Sequence, residues 1–482
     1  MNELQLQMNL DAAPTQNRFR ERLNSGEFVL LVENSSPGKD TDPAAASGRL
    51  AELESAVLAI KCIPAALAVT DGYHISERSW RAAEYVAALS PDNRDRHVLY
   101  LSGRHTDRNE LKTLTHLARE AGICNLVAVS GDAVRGESAR ENRKHRFLES
   151  IDTLAELQSL KTKTPLLMTG STVNPFQYSS YSLFAQYGKM IRKINSGAEF
   201  IVTQAGWDML KLQTLRWYLS LRNFYFPTIA RLIVLTPERV EKILAGHHPG
   251  VNISPDFRKI LDKELRFSLN QFEAAQWRRL ELQAAGCRLL GYSGIQLSGV
   301  DNRARLDIAA ERIAAALEEF TSFDHWLSEY NSYLARAEMA PMTASFNLFD
   351  RTLRRSYPET PPRMSDIGEP EVGSGENMAW NLRNFLFANS DRQEPDSRRL
   401  LKTLFAGCKG CDKCRLPQTE YICPELCPKR LANGPCGGIR PDGNCEIPNF
   451  GECVHRQIAR LAYAHGRLSR LEDTVIPSGH SN

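Results

Sequence analysis

Eight short apolar runs within the first 300 of 482 residues constrain this chain more than any other feature. They are FVLLVE (28–33), AALAVT (65–70), HVLYLS (97–102), NLVAVS (125–130), PLLMTG (165–170), EFIVTQ (199–204), PTIARLIVL (227–235) and CRLLGYSGIQL (287–297). The first six are nearly continuous in apolar character, the pattern of a parallel strand buried on both faces. Helical periods lie between them. In RNELKTLTHLAREAG (108–122), Leu111, Leu114, Leu117 and Ala118 share one face, and residues 147–161 and 182–197 follow the same rule. Eight strands alternating with helices predict an α/β fold of the closed (β/α)8 class. A doubly wound sheet competes, but no G-x-G-x-x-G follows the first run.

Such a barrel carries its chemistry where strands end and loops begin. Those ends read Glu33, Thr70-Asp71, Ser102, Ser130-Gly131-Asp132, Thr169-Gly170-Ser171, Thr203-Gln204 and Ser293. A loop carboxylate is more often a helix cap or turn residue than a catalyst. Glu33 resists that reading best, because it closes an apolar strand just before an SSPG turn.

Residues 304–350 carry helical patterns, and SYPETPPRMSDIGEPEVGSGEN (356–377) has the composition of a linker. The expected organisation is a barrel over 1–300, a helical extension over 301–355, a linker with a connecting helix over 356–399, and a cysteine-rich unit over 400–482. A formal charge of +3 argues against a nucleic-acid partner. No run approaches the ~18 apolar residues that span a bilayer. The first residues lack an apolar leader core, so a cytoplasmic location is expected.

In a reducing compartment, clustered thiols point to metal rather than disulfides. Cys62, Cys124 and Cys287 stand alone beside apolar runs and are expected to be small buried hydrophobes. The other eight, Cys408, Cys411, Cys414, Cys423, Cys427, Cys436, Cys445 and Cys453, follow the pattern C-x2-C-x2-C-x8-C-x3-C-x8-C-x8-C-x7-C. Eight thiolates suffice for two [4Fe–4S] clusters or two zinc ions. The tight triple and the lack of nearby paired histidines favour clusters. KGC and GPCGG add small residues whose N–H groups can approach cluster sulfur.

The tail, CKGCDKC…CP…CPKRLANGPCGG…DGNCE…C, resembles the cysteine-rich domain of methylenetetrahydrofolate reductases of the acetogen type. The barrel resembles the flavin-binding catalytic subunit of that family over residues 25–300. Glu33 falls where the family has its proton-donating glutamate. AVTDGY…SER (68–78) places Thr70 at a flavin contact, and SGD (130–132) makes Asp132 the carboxylate near flavin and pterin. RKINSGAEFIVTQ (192–204) assigns Arg192 and Lys193 to the flavin phosphate and Gln204 to folate, and Ser102 joins the cofactor set as a strand-end hydroxyl. The chain departs from the family after strand one, where Asn34-Ser35-Ser36-Pro37 replaces Phe-Phe-Pro-Pro. It departs again after strand five, at Gly170-Ser171-Thr172-Val173-Asn174-Pro175.

The resemblance implies reduction of 5,10-methylenetetrahydrofolate to 5-methyltetrahydrofolate in one-carbon metabolism. FAD or FMN would be fed through two [4Fe–4S] clusters, with zinc as the alternative metal, by ferredoxin or a redox partner subunit. An oligomer is compatible with it. Glu33, in a dry pocket that raises its pKa, would protonate N10. Two other readings are a folate/corrinoid methyltransferase-like barrel and an inactive electron-transfer or docking subunit.

Overall fold

A computed structural model describes residues 16–477, apart from 74–75, 163, 301, 340–341, 343–371, 389–397 and 412. Eight parallel strands close into one barrel in sequence order. They are β1 (Val29–Ser35), β2 (Ala65–Thr70), β3 (Val98–Ser102), β4 (Asn125–Val129), β5 (Met168–Val173), β6 (Phe200–Thr203), β7 (Thr228–Ile233) and β8 (Gly294–Ser298). The expected (β/α)8 barrel is the observed fold.

Helix α1 (Arg18–Asn24) precedes the barrel. The crossovers carry α2 (Pro43–Ala59), α3 (Ala82–Tyr85), α4 (Arg108–Glu120), α5 (Ala139–Asn142), α6 (Ser150–Leu160), α7 (Ser180–Asn195) and α8 (Met209–Leu221). Between β7 and β8 lie α9 (Pro237–Leu244), α10 (Pro255–Phe267) and α11 (Leu269–Leu289). After β8 come α12 (Arg303–Glu319) and α13 (Phe323–Arg336), followed by α14 (Ser374–Phe387), α15 (Arg399–Ala406), α16 (Val454–Ala464) and α17 (Arg470–Asp473). Among the described residues, no helix is long and apolar enough to cross a membrane.

Strand alternation fills the interior. Val29 and Leu31, Ala66 and Ala68, Val98 and Tyr100, Phe200 and Val202, and Ile229 form one cluster, which Phe19 and Leu23 of α1 close from below. Phe19 meets Phe200 edge-on at 5.4 Å. The positions one step further along these strands are polar, so apolar burial ends where the mouth begins.

Two strand boundaries differ from expectation. In PLLMTG the first half is a turn closed by Leu167 N–H on Thr164 O, and β5 runs from Met168 to Val173. Its mouth residues are therefore Thr172–Asn174. In CRLLGYSGIQL the first residues complete α11, which ends at Gly291 with φ +83° and Tyr292 N–H on Cys287 O. Ser293 then precedes β8 at the far end of the barrel, and Gln296–Ser298 face the mouth. The linker expected over 356–399 falls largely outside the described residues, but its stretch 374–377 opens α14. Cys124 and Cys287 are buried as expected, whereas Cys62 is exposed at the loop before β2.

The C-terminal domain lies against α7 and the loop after β4. Lys189 of α7 pairs with Glu149 at 2.8 Å, and both are nearly sealed from solvent. Glu149 accepts N–H bonds from Ala432 and Asn433, while Arg192 donates to the carbonyls of Asn433 and Arg470. Gly434, at φ +133°, passes so close that a Cβ there would stand 2.7 Å from Lys189 Cβ. Buried charges cost free energy unless paired. Here the charge pair lies within the barrel, and backbone N–H and C=O groups of the C-terminal domain complete its hydrogen bonding.

Candidate active site

The barrel mouth holds a cavity of about 190 Å³ whose wall includes Glu33, Thr70, Tyr100, Ser102, Asp132, Lys193, Gln204, Arg231 and Gln296. Glu33 lies at its centre of charge. Arg231 Nε and Nη2 donate to its two oxygens at 2.6 and 2.5 Å, and Gln296 Nε2 donates at 2.7 Å. Tyr100 hydroxyl donates to Gln296 Oε1 at 2.6 Å, and Arg231 Nη1 reaches Gln204 Oε1 at 2.8 Å. Register explains the convergence: Arg231 is paired with Gln296 across β7 and β8, and both extend interior rows of their strands. Burial alone would raise the Glu33 carboxyl, but the charge and hydrogen bonds of Arg231, helped by Gln296, hold it down at about 2. The expectation that a dry pocket raises Glu33 is thus overturned, because the pocket supplies a cation. Glu33 stays a carboxylate.

The opposite wall behaves differently. Asp132 is raised to about 6, by burial first and then by the Glu446 carboxylate, against the pull of Lys429, Arg104 and Arg231. Glu446 and Lys429 belong to the C-terminal domain. Lys429 Nζ stands 2.5 Å from Glu446 Oε1 and donates to Gly131 O at 2.8 Å, while Ala133 N–H donates to Glu446 Oε1 at 3.0 Å. A neighbouring domain therefore adds to what burial does to a barrel carboxyl.

Six of the seven barrel residues singled out in the sequence line this one cavity: Glu33, Thr70, Ser102, Asp132, Lys193 and Gln204. Arg192 does not. Arg192 is 2% exposed and its guanidinium is committed to tail carbonyls, so the phosphate role expected of it is not open to it here. Lys193 donates to Thr172 O, and burial, then the charge of Lys189, pulls its amine down to about 7. The Gln204 amide already accepts from Arg231 and donates to Pro249 O, which leaves one N–H for a ligand. Arg231, Gln296 and Tyr100 escaped the sequence reading. Their signal was a polar residue on an interior row of an otherwise apolar strand.

The side chains suit the polar edge of a flavin ring: hydroxyls at Thr70 and Ser102, a carboxyl of raised proton affinity at Asp132 and an amine at Lys193. An outer chamber of about 790 Å³ adjoins the inner one through Tyr73 and Asp132, bounded by the loop after β4 and by Glu446–Phe450. Together they exceed the low end of the ~300–1,000 Å³ usual for ligand sites. A phosphate seat at Arg192 does not fit.

The eight clustered thiols fall into two neighbourhoods. Cys427, Cys436, Cys445 and Cys453 line one closed cavity of about 20 Å³. Cys408 and Cys411 lie close enough to raise the Cys423 thiol, which burial first pushes up to about 11. Cys414 packs nearby against the apolar core of the C-terminal domain. Among the described residues, however, no group of three or more His, Cys, Asp or Glu side chains is arranged to hold a metal ion. The thiols are gathered but not closed to ligand spacing, and burial raises those of Cys411, Cys423, Cys427, Cys436, Cys445 and Cys453. Metal ligation requires the thiolate. Cys436 also lines the barrel cavity, so one thiol borders both sites.

Residues 18–237 match the family model described as methylenetetrahydrofolate reductase, and residues 387–481 match the one described as methylene-tetrahydrofolate reductase C terminal. Two separate stretches of the chain are thus similar to methylenetetrahydrofolate reductase domains. No curated protein matches it. Among solved structures, a Clostridium thermocellum protein described as binding two copies of 5-methyl-5,6,7,8-tetrahydrofolic acid is 14% identical. Its TM-score is 0.46, over 62% of this chain and 98% of its own. An oxaloacetate acetylhydrolase in complex with 3,3-difluorooxalacetate is 10% identical at a TM-score of 0.34, over 68% and 98%. The family matches cover both the mouth of the barrel and the thiol domain that closes over it.

Proposed function

We propose that this chain reduces 5,10-methylenetetrahydrofolate to 5-methyltetrahydrofolate at the barrel mouth. The observation that carries the reading is a single cavity in which the family's barrel residues meet Cys436 of the C-terminal domain. A bound reduced flavin supplies the hydride. Opening the folate's five-membered ring needs a proton at N10. Asp132, holding its proton to about pH 6, is the acid. Loss of that bond leaves a cationic iminium at N5. The Glu33 carboxylate, fixed by Arg231 and Gln296, stabilises positive charge without reorganising. Gln204, oriented by Arg231, offers its remaining N–H to the pterin edge. The roles of the two carboxyls are thereby exchanged relative to the family pattern.

Metal centres held by the C-terminal thiols would supply a route for electrons to the flavin. The two thiol neighbourhoods would supply the donors for two metal centres, read as [4Fe–4S] clusters, and Cys436 is the thiol that also lines the mouth cavity. Closing them to ligand spacing requires deprotonation of the thiols and small shifts around the glycine-rich NGPCGG loop. The test is anaerobic purification with iron, sulfide, zinc and flavin analysis, followed by single-turnover reduction of 5,10-methylenetetrahydrofolate by the photoreduced protein. Flavin, iron and 5-methyltetrahydrofolate are expected. Zinc without iron makes the thiol domain structural, and absence of 5-methyltetrahydrofolate removes the reductase reading.

A further inference from the structure

The substrate read for the mouth is longer than the chamber that takes its reactive end. A folate is a pterin, a benzoyl ring joined to it through N10, and a glutamate tail. The inner chamber, at about 190 Å³, falls below the ~300 Å³ at which sites begin to enclose a whole ligand. It continues past Tyr73 and Asp132, which border both it and the outer chamber of about 790 Å³. Asp132 is the acid assigned to N10, and N10 carries the benzoyl ring. The rest of the folate therefore starts at the threshold of the outer chamber.

That chamber has an apolar side and a basic rim. Val134 and Pro249 of the barrel face Ile447 and Phe450 of the C-terminal domain around it, and Arg135 and Arg140 stand on its rim. Its cations are unequal. Arg104 lies over the Tyr73 ring at 4.3 Å and is bonded to Glu77. Arg135 Nε keeps only a 3.9 Å contact with that carboxylate, and Arg140 makes no ion pair among the described residues. Apart from Asp132 at the threshold, the other carboxylates of the wall have partners: Glu137 with His145 at 2.6 Å, and Glu446 with Lys429 at 2.5 Å. Arg135 and Arg140, both exposed, are left for an anionic ligand.

Both walls are built before a ligand arrives. Buried Asn142 accepts from Val134 N–H at 2.8 Å and donates to Val134 O at 3.3 Å, which fixes the loop that carries the arginines. The facing loop is closed by Cys445 N–H on Gly451 O at 2.9 Å. Such preorganisation lowers the ordering cost of binding. The kind of anion follows from the backbone. The N–H groups of Ala133, Val134, Arg135 and Ser138 are all taken by side chains, so this loop has no nest of free amides for a phosphate. It presents separate side-chain cations, which suit carboxylates spread along a chain.

We propose that the outer chamber is the site for the benzoyl ring and glutamate tail of the folate. Residues 447–450 of the C-terminal domain cover the ring, and Arg135 and Arg140 hold the carboxylates of a γ-linked oligoglutamate. The inference rests on the folate reading above and adds the half of the substrate site that the C-terminal domain supplies. A chamber of about 790 Å³ has room for more than one glutamyl unit.

The full chain, purified anaerobically, is titrated calorimetrically with 5-methyltetrahydrofolate as monoglutamate and as γ-linked triglutamate, at about 50 and about 300 mM salt. The triglutamate is expected to bind ~10-fold tighter at low salt, with a smaller gain at high salt. Arg135→Glu with Arg140→Glu should abolish that gain. Pro448→Glu, which sets a like charge on the exposed C-terminal wall, should reduce it, and neither change should move the melting temperature. Equal affinity of the wild type for the two folates overturns the proposal, as does a gain that the double variant retains. A gain untouched by Pro448→Glu also overturns it, because the C-terminal domain then takes no part. Loss of bound flavin in the double variant, with both folate affinities unchanged, overturns it in favour of a flavin phosphate. Reduction of the monoglutamate substrate without any triglutamate gain overturns the tail site and leaves the reductase reading standing. The gain in a protein that reduces no folate upholds the tail site and removes the reductase reading.

Discussion

The two walls of the barrel mouth present similar acids in opposite states. On the β1 wall, Glu33 is clamped by Arg231 and Gln296 from β7 and β8 and is held at about 2. On the β4 wall, Asp132 meets Glu446 of another domain and is raised to about 6. Burial pushes both carboxyls the same way. What separates them is the sign of the nearest charge, which fits one for permanent charge and the other for carrying a proton.

The sharpest way to break this contrast is Asp132→Asn. It should lower the rate of folate reduction by ~10²–10⁴, measured in single turnover with the photoreduced protein. In the wild type, kcat/KM should fall about tenfold per pH unit above about 6, as Asp132 ionises. The variant should lack that limb, and a limb that survives would assign the proton elsewhere.

Arg231→Met attacks the other wall. It strands a buried carboxylate and should cost roughly 3–5 kcal/mol in denaturant unfolding at neutral pH. Much of this should be recovered in Arg231→Met/Glu33→Gln, where no charge is left to strand.

The linkage signs of the two acids are opposite. Glu33 is depressed below its unfolded value of about 4, so its stabilisation is present above that pH and lost as pH falls towards about 2. Up to ~3 kcal/mol is at stake, at 1.36 kcal/mol per pKa unit. Asp132 is raised, so its proton-linked stability is present below pH ~4 and is lost as pH rises through about 6. Urea melts from pH 3 to 7 on Glu33→Gln and Asp132→Asn should flatten opposite ends of the profile.

The smallest effect expected is from Glu446→Gln. Removing the like charge should move the Asp132 limb to lower pH without abolishing turnover. An unmoved limb would make the C-terminal domain irrelevant to the proton.

The barrel was legible from its sequence because its strands are buried on both faces and read as apolar runs, and six of seven suspected mouth residues meet in one cavity. Two boundaries were misread for local reasons. An apolar run can complete a helix, as at Cys287-Arg288-Leu289, or sit in a turn, as at Pro165-Leu166. Arg231 and Gln296 were printed inside strands, but their importance depends on β8 lying beside β1, with β7 next beyond it, around a closed sheet.

The sequence by itself determined the strand order, the ring of polar strand ends and the thiol spacing, because each is a periodic or local property of the chain. Only the tertiary structure decided which carboxyl keeps a proton, that Arg192 serves the domain interface, and that Cys436 reaches the mouth. A pKa depends on charges brought close through space. Arg231 lies 198 residues from Glu33, and Glu446 bonds to the Ala133 amide 313 residues away.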